Sequence, residues 1–253
     1  MKIVSWNCNG ALRKKGAALD ALDALDADVL IIQECEIPAE STPEYREWAG
    51  DYLWKDRSKN KGIGVSPRKN NTATETGWQG SFEVSGLGAK STATCWRTDE
   101  LESFLPFYLN NEYSILGVWT KGHDTKVFSY IGQVWKYLKI HKTELARPKT
   151  LLIGDFNSNA IWGQPDRWWN HSDVIEELEE MGIRSAYHAL LGEKQGSEQC
   201  PTFFLQRNTG KPYQVDYAFL SSDLLPLCQI HIGDVDKWLH ISDHMPLIVE
   251  LNT

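Results

Sequence analysis

The chain has 253 residues, with 34 Asp and Glu against 26 Lys and Arg, a net charge of −8 and a pI near 5.4. Proteins that grip long stretches of nucleic acid through counterion release usually show a basic balance or stripe, so this charge argues against tight non-specific duplex binding, although a basic groove can exist on an acidic protein. No run approaches the ~18 apolar residues of a membrane helix. Met1-Lys2 leads directly into a strand where a secretory leader would carry an apolar segment. The expectation is one cytosolic domain over residues 1–253, with no membrane association and no obligate protein partner.

Residues 2–6 read as a short apolar strand ending in Asn7-Cys8-Asn9-Gly10. Residues 17–27 read as a helix with Leu19, Leu22 and Leu25 on one side. Its Asp20, Asp23 and Asp26 form a solvent face, not a metal site. Residues 28–34 are a buried-type strand whose end carries Glu34. The run 62–66 is a strand stopped by Pro67, and 91–96 and 113–119 read as sheet. Residues 131–147 are helical. Leu151-Leu152-Ile153 is a strand that runs into Asp155 and Asn157. A further helix starts near Ser172, with Ser172, Ile175 and Glu176 as an imperfect capping pattern and Gly182 closing it. Residues 213–220 form a strand with Asp216 in its interior, and Leu247-Ile248-Val249 leads away from Asp243 and His244.

Two short basic clusters, Arg13-Lys14-Lys15 and residues 55–61, could meet a phosphodiester backbone or stay as solvated loop charge. The five cysteines have no CxxC or Cys/His zinc spacing and read as small buried hydrophobes in a reducing compartment.

The polar strand ends carry the chemistry. A carboxylate inside a strand is costly unless it is paired or bound to a metal, so Glu34 and Asp216 call for a cation and for His244. Carboxylates hold a hard divalent cation while neighbouring donors hold an anion, which suits a metal and a phosphate together. Phosphodiester hydrolysis requires charge neutralisation, a water placed in line and a stabilised leaving oxygen. Glu34 is the best candidate to ligate Mg²⁺ or Mn²⁺. Asp155 is the candidate to orient or deprotonate the water. Asn157, two residues on and on the same face of an extended segment, would donate to a phosphate oxygen. His244 would donate to a non-bridging oxygen, with Asp216 orienting its ring and raising its basicity.

The segments Ile3-Val4-Ser5-Trp6-Asn7, Ile31-Ile32-Gln33-Glu34, Gly154-Asp155-Phe156-Asn157, Val215-Asp216-Tyr217 and Ser242-Asp243-His244 occur in this order over nearly the whole chain. Together they resemble the endonuclease/exonuclease/phosphatase superfamily, which includes the exonuclease III-type abasic-site endonucleases, DNase I and the inositol polyphosphate 5-phosphatases. The resemblance implies a four-layer α/β sandwich, with two mixed β-sheets face to face, helices outside and the site at one rim. It implies that Asn7 supports both metal and phosphate and that Asp243 lies at the metal. Asn9 stands where many relatives carry Asp, so a second metal is less well supported there, and Asn9 is a candidate substrate contact. Tyr213 stands where abasic-site nucleases often have a Trp lining the lesion pocket, though rim packing suits it equally. Thr202-Phe203-Phe204 resembles a structural strand of those nucleases. Relatives usually place a Tyr or His at the end of the strand that here reads Leu116-Gly117-Val118-Trp119-Thr120, followed by Lys121 and His123. Thr120 or Lys121 could take over that phosphate contact.

Trp162, Trp168 and Trp169, with Asn170 and His171, lie in an aromatic-rich loop after Asn157. Trp168, Trp169 and Asn170 are candidates for a substrate platform, because a doubled Trp flanked by polar donors can stack on a base. Packing of the loop on the sheet is the competing role. The sequence thus reads as a Mg²⁺- or Mn²⁺-dependent phosphodiesterase, foremost a nuclease acting on DNA. A phosphomonoesterase of a small phosphorylated metabolite or lipid headgroup, and a catalytically silent binding module, are the alternatives.

Overall fold

The computed structural model describes residues 1–58, 60–84, 95–102, 104–122 and 127–252, with the side chain of Arg57 excepted. In chain order the strands are β1 (Lys2–Asn7), β2 (Val29–Cys35), β3 (Leu53–Ser58), β4 (Lys61–Pro67), β5 (Ala73–Glu75), β6 (Ser81–Glu83), β7 (Cys95–Arg97), β8 (Phe104–Leu109), β9 (Tyr113–Trp119), β10 (Thr150–Asp155), β11 (Ile183–Ser185), β12 (Phe203–Phe204), β13 (Pro212–Tyr213), β14 (Asp216–Ser221), β15 (Cys228–Ile232) and β16 (Leu247–Leu251). The helices are α1 (Gly16–Asp23), α2 (Pro43–Ala49), α3 (Ile131–Leu145), α4 (His171–Glu180), α5 (Ala186–Leu191) and α6 (Val235–Trp238).

Two six-stranded mixed sheets, ordered β15-β16-β1-β2-β4-β3 and β11-β14-β10-β9-β8-β5, lie face to face. Alternation along each strand sorts side chains into layers, because successive residues point to opposite faces. Ile3 and Ile31 meet Ile115, Leu151 and Ile153 between the sheets. Val4, Trp6, Leu30 and Ile32 turn outward to Ala18 and Leu22 of α1 and Trp238 of α6. Leu116, Val118 and Leu152 turn outward on the other side, against Val134 and Leu138 of α3 and Val174 and Leu178 of α4. The result is the four-layer α/β sandwich. No helix among the described residues is long and apolar enough to cross a membrane.

Several boundaries differ from the sequence reading. The expected strand 213–220 is two strands, β13 and β14, so Asp216 opens β14 and is not in a strand interior. The helix over 17–27 ends at Asp23, and Asp20, Asp23 and Asp26 are exposed to solvent. Helix α4 is capped by Asn170, not Ser172: Asn170 and Asp173 form a reciprocal capping box. Of the strand expected over 91–96, residues 91–94 lie outside the described residues, as do His123 and Lys59; Cys95–Arg97 is extended.

The topology gathers the polar strand ends at one rim. β1 and β2 run parallel, as do β9 and β10, so their C-terminal ends share an edge with their partners. β14 is antiparallel to β10, which places its first residue, Asp216, opposite Asp155. β16 is antiparallel to β1 with Ser5 opposite Leu247, so the segment before Leu247 lies beside the end of β1.

Candidate active site

Asp155 ends β10 on the inter-sheet face and is fully buried. Its carboxylate accepts from the Asn157 backbone N–H at 2.8 Å, from Asn157 Nδ2 at 2.8 Å and from Asn7 Nδ2 at 2.9 Å. Asn7 ends β1 in the opposing sheet, so this last bond ties the two sheets together at the rim. Asn157 reaches Asp155 through a left-handed backbone (φ 45°), not through an extended segment, and its Nδ2 also donates to the Thr120 carbonyl at 3.0 Å. Gly154 makes the approach possible: at φ 149°, a Cβ there would lie 1.9 Å from the Val118 carbonyl oxygen.

His244 is buried beside this carboxylate, and its Nδ1 is 2.9 Å from Asp216 Oδ2. Asp155, Asp216 and His244 bring a polar atom each within 4.8 Å of one another. The ring is braced by Phe203 at 4.6 Å between centroids, and the His244 carbonyl accepts from Trp6 Nε1 at 2.9 Å. Burial pushes the Asp155 carboxyl up to about 7, against the pull of His244 and with Asp216 adding to the rise. Burial opposes charge on His244 too, but the Asp216 and Asp155 carboxyls outweigh it and hold the ring up at about 9. His244 is therefore cationic at neutral pH, with Nδ1–H donated to Asp216. Its Nε2 has no partner among the described residues and is free to donate to an anion.

Two residues given no catalytic role in the sequence reading build this arrangement. Thr202 Oγ1 accepts from the Val215 and Asp216 backbone N–H groups, and its carbonyl accepts from Met245. Ser242 Oγ donates to the Asn7 carbonyl at 2.8 Å and accepts from the His244 N–H at 3.1 Å. Ser242 thereby fixes the end of β1 to the turn that carries His244. Only its adjacency to Asp243 and His244 could have signalled it.

Glu34 lies on a β-bulge, where the β2–β4 register shifts between Gln33 and Cys35, in a left-handed conformation (φ 61°). Even-numbered neighbours Leu30 and Ile32 face the outer layer. The bulge turns Glu34 back to the rim, where Asn7 Nδ2 approaches its Oε1 at 3.4 Å. Asn7 Oδ1 accepts the Asn9 N–H at 2.9 Å, and Asn9 Nδ2 donates to Asp243 Oδ1 at 2.8 Å. Glu34, Asn7, Asn9 and Asp243 thus form one hydrogen-bonded row of oxygen-rich side chains. The Lys61 ammonium is bonded to Glu34 and stands as a cation at this carboxylate. A partly exposed carboxylate already holding a positive charge, with Asp243 in the same row, is a donor set that suits a hard divalent cation. Asn7 meets Glu34 with its nitrogen, so it acts here as the donor that aligns Glu34 and Asp155, and the carboxylate oxygens that could be offered to a cation are those of Glu34 and Asp243.

Other sequence candidates are placed differently. The Thr120 hydroxyl is spent on the Phe156 carbonyl at 2.6 Å in a buried position, so it does not replace the Tyr or His phosphate contact. Lys121 pairs with the buried Asp56 and covers the Trp119 ring at 4.0 Å. Trp169 is a core residue, 9% exposed and 4.4 Å from the Phe128 ring. Trp168 keeps half its surface but sets its ring edge-on against Trp135 at 4.9 Å. Together with Asn170, whose side chain is spent on the α4 cap and the turn before it, they stabilise the loop and do not form a doubled platform. Tyr213 is half-buried, its ring 5.2 Å from that of Trp162. In the basic cluster after β1, Arg13 pairs with Glu36 and Lys15 donates to the Cys8 and Ile241 carbonyls. Both serve the fold.

The chain is similar in structure to an AP endonuclease from Archaeoglobus fulgidus (TM-score 0.68, 17% identity) and to a 3'-5' exonuclease from Neisseria meningitidis (TM-score 0.69, 18% identity), each match covering 100% of both chains. A Neisseria 3' phosphatase bound to product DNA hairpin matches with TM-score 0.70 and 16% identity, again over 100% of both. No curated protein matches in sequence. The family described as the Endonuclease/Exonuclease/phosphatase family matches residues 4–244, a span that holds every rim residue from Asn7 to His244. With that match over nearly its whole length, the chain belongs to the Endonuclease/Exonuclease/phosphatase family and is a phosphoric-ester hydrolase.

Proposed function

We propose that the protein is a divalent-metal-dependent phosphodiesterase that hydrolyses DNA. The observation that carries this reading is the buried Asp155 carboxylate, fixed by Asn7 and Asn157 and flanked by the His244–Asp216 pair. Asp155 has the raised proton affinity of a general base and a geometry fixed from both sheets. In this reading it takes a proton from the water as the water oxygen bonds to phosphorus. The bond from phosphorus to the leaving oxygen breaks, and that oxygen takes a proton from solvent. His244 donates from Nε2 to a non-bridging oxygen, where charge accumulates. Asp216 accepts the Nδ1–H, orients the ring and stabilises its charge, which keeps the Nε2–H available as this donor. A Mg²⁺ or Mn²⁺ ion held by Glu34 and Asp243 would supply charge neutralisation on the phosphoryl group.

DNA is favoured as substrate because a structural neighbour matched over 100% of both chains is bound to a DNA hairpin product. The full set Asn7, Glu34, Asp155, Asn157, Asp216, Asp243 and His244 weighs against a silent binding module. The test is hydrolysis by purified protein of abasic duplex, nicked duplex, single-stranded DNA, RNA and phosphomonoesters, each with Mg²⁺ and with EDTA. EDTA-sensitive cleavage of a DNA substrate supports the reading. Hydrolysis of phosphomonoesters alone replaces it with a phosphatase.

A further inference from the structure

A cavity of about 550 Å³ opens beside Asn157 and is walled by Asn157, Asn159, Tyr130, Trp162, Arg167 and His171, among others. Its volume falls in the ~300–1,000 Å³ range of small-molecule sites. One wall is a residue of the catalytic rim, so an occupant of the cavity is contiguous with a phosphate held there. The other walls come from the residues that lead into α3 and from the loop between β10 and α4, whose chemistry the hydrolysis does not use.

Trp162 is 43% exposed, a large exposure for so apolar a ring. It sits on a 3₁₀ turn whose preceding residue, Asn159, accepts from the Ile161 N–H through Oδ1. Asn159 Nδ2 is anchored in turn to the Gln214 carbonyl and to Tyr217 Oη. The exposed indole is therefore held by a buried polar network instead of riding on a free loop. Tyr213 lies against it, extending an aromatic surface toward β13. Tyr130 adds a second ring, 46% exposed. Arg167 is exposed and has no ion pair among the described residues, which leaves its guanidinium available to a phosphate.

We propose that this cavity is a nucleotide subsite, in which Trp162 stacks on a base and Arg167 holds a flanking phosphate. The assignment rests on the nuclease reading and deepens it: the substrate is a polynucleotide whose base next to the scissile phosphate is bound away from the metal row. Stacking on an aromatic face tolerates any base.

The test compares a single-stranded oligodeoxynucleotide with bis-p-nitrophenyl phosphate, in wild type, Trp162→Ala and Arg167→Ala. Both substitutions are at exposed positions, and thermal melting checks that they fold. The expected result is a KM rise for the oligonucleotide about tenfold greater than for the small diester in Trp162→Ala, the scale of one lost base stack. In Arg167→Ala the salt dependence of oligonucleotide binding falls by about one phosphate contact. Equal losses on the two substrates, or cleavage of the oligonucleotide by both variants with wild-type KM, overturn the subsite while leaving the nuclease reading intact. Absence of polynucleotide cleavage by the wild-type protein, with bis-p-nitrophenyl phosphate still hydrolysed, removes the nuclease reading and the subsite with it.

Discussion

Asp155 and Asp216 are directly opposed across the antiparallel β10–β14 ladder, and the His244 ring that bonds Asp216 lies within reach of both carboxyls. Two buried carboxyls side by side cannot both ionise cheaply unless a cation is placed with them. His244 is that cation, and the pairing explains why one carboxyl is free to bind a proton while the ring keeps its own. A base and a donor are thus set apart by their surroundings and not by residue type.

Replacing Asp155 by Asn, or His244 by Ala, is expected to lower kcat by roughly 10²-fold or more, the scale for losing a general base or an electrostatic donor. Steady-state kinetics on variants with wild-type circular dichroism checks this. Wild-type turnover in either variant removes that residue from the mechanism.

The pH profile follows from the same pair. Asp155 must be deprotonated to take a proton, so kcat/KM rises with pH through its value of about 7. His244 must be protonated to donate from both nitrogens, so activity falls as pH passes about 9. A bound divalent cation stabilises the Asp155 carboxylate and moves the rising limb to lower pH. Asp216→Asn removes the largest influence holding the His244 proton and should shift the falling limb downward. A falling limb that stays in place in Asp216→Asn contradicts the assignment.

Glu34→Gln is expected to weaken divalent-metal binding, measured by isothermal calorimetry in the absence of substrate. Lys61→Ala should strengthen it, because it removes the ammonium bonded to the same carboxylate. Unchanged affinity in both variants would place the metal elsewhere.

Away from the rim, Glu198 is bonded by His188 at 3.1 Å, by the Gly196 N–H at 2.9 Å and by Asn159 at 3.2 Å. Burial alone would raise its carboxyl, but these donors together bring it down to about 2. A depressed carboxylate contributes stability above its unfolded value near 4.5 and loses it as pH falls through about 2. Glu198→Gln should flatten the fall in melting temperature between those pH values, and a variant with the wild-type acid slope refutes the role.

Gly154→Ala is expected to destabilise by about 3 kcal/mol or more, since both the backbone conformation and the Val118 carbonyl oppose a Cβ. Urea denaturation measures it. A cost below 1 kcal/mol would mean that β9 can shift, and that the seat of Asp155 is softer than the hydrogen bonds imply.

The strand-end chemistry was legible because it is local. Leu151-Leu152-Ile153 running into Asp155, and the strand at 113–119, follow from apolar runs bounded by polar residues, and the observed strands agree closely. The motif order carried the family and the sandwich. What depended on distant partners was not legible. The bulge that turns Glu34 to the rim is set by pairing with β4, and no periodicity within residues 28–34 announces it. Which tryptophan is covered depends on Phe128 and Trp135, far along the chain, so the doubled Trp168-Trp169 looked like a platform although Trp169 is buried against Phe128 and Trp168 sets its edge on Trp135. Asn170 was read as a substrate contact because it flanks the doubled Trp, while the start of α4 that it caps was placed at Ser172.

The most direct test of the central claim is the cleavage rate of end-labelled DNA by wild type and Asp155→Asn, each in Mg²⁺ and in excess EDTA. The account predicts cleavage by the wild type in Mg²⁺ alone, abolished by EDTA and reduced at least ~10²-fold in Asp155→Asn. Undiminished hydrolysis in EDTA, or equal rates for the two proteins in Mg²⁺, would contradict it.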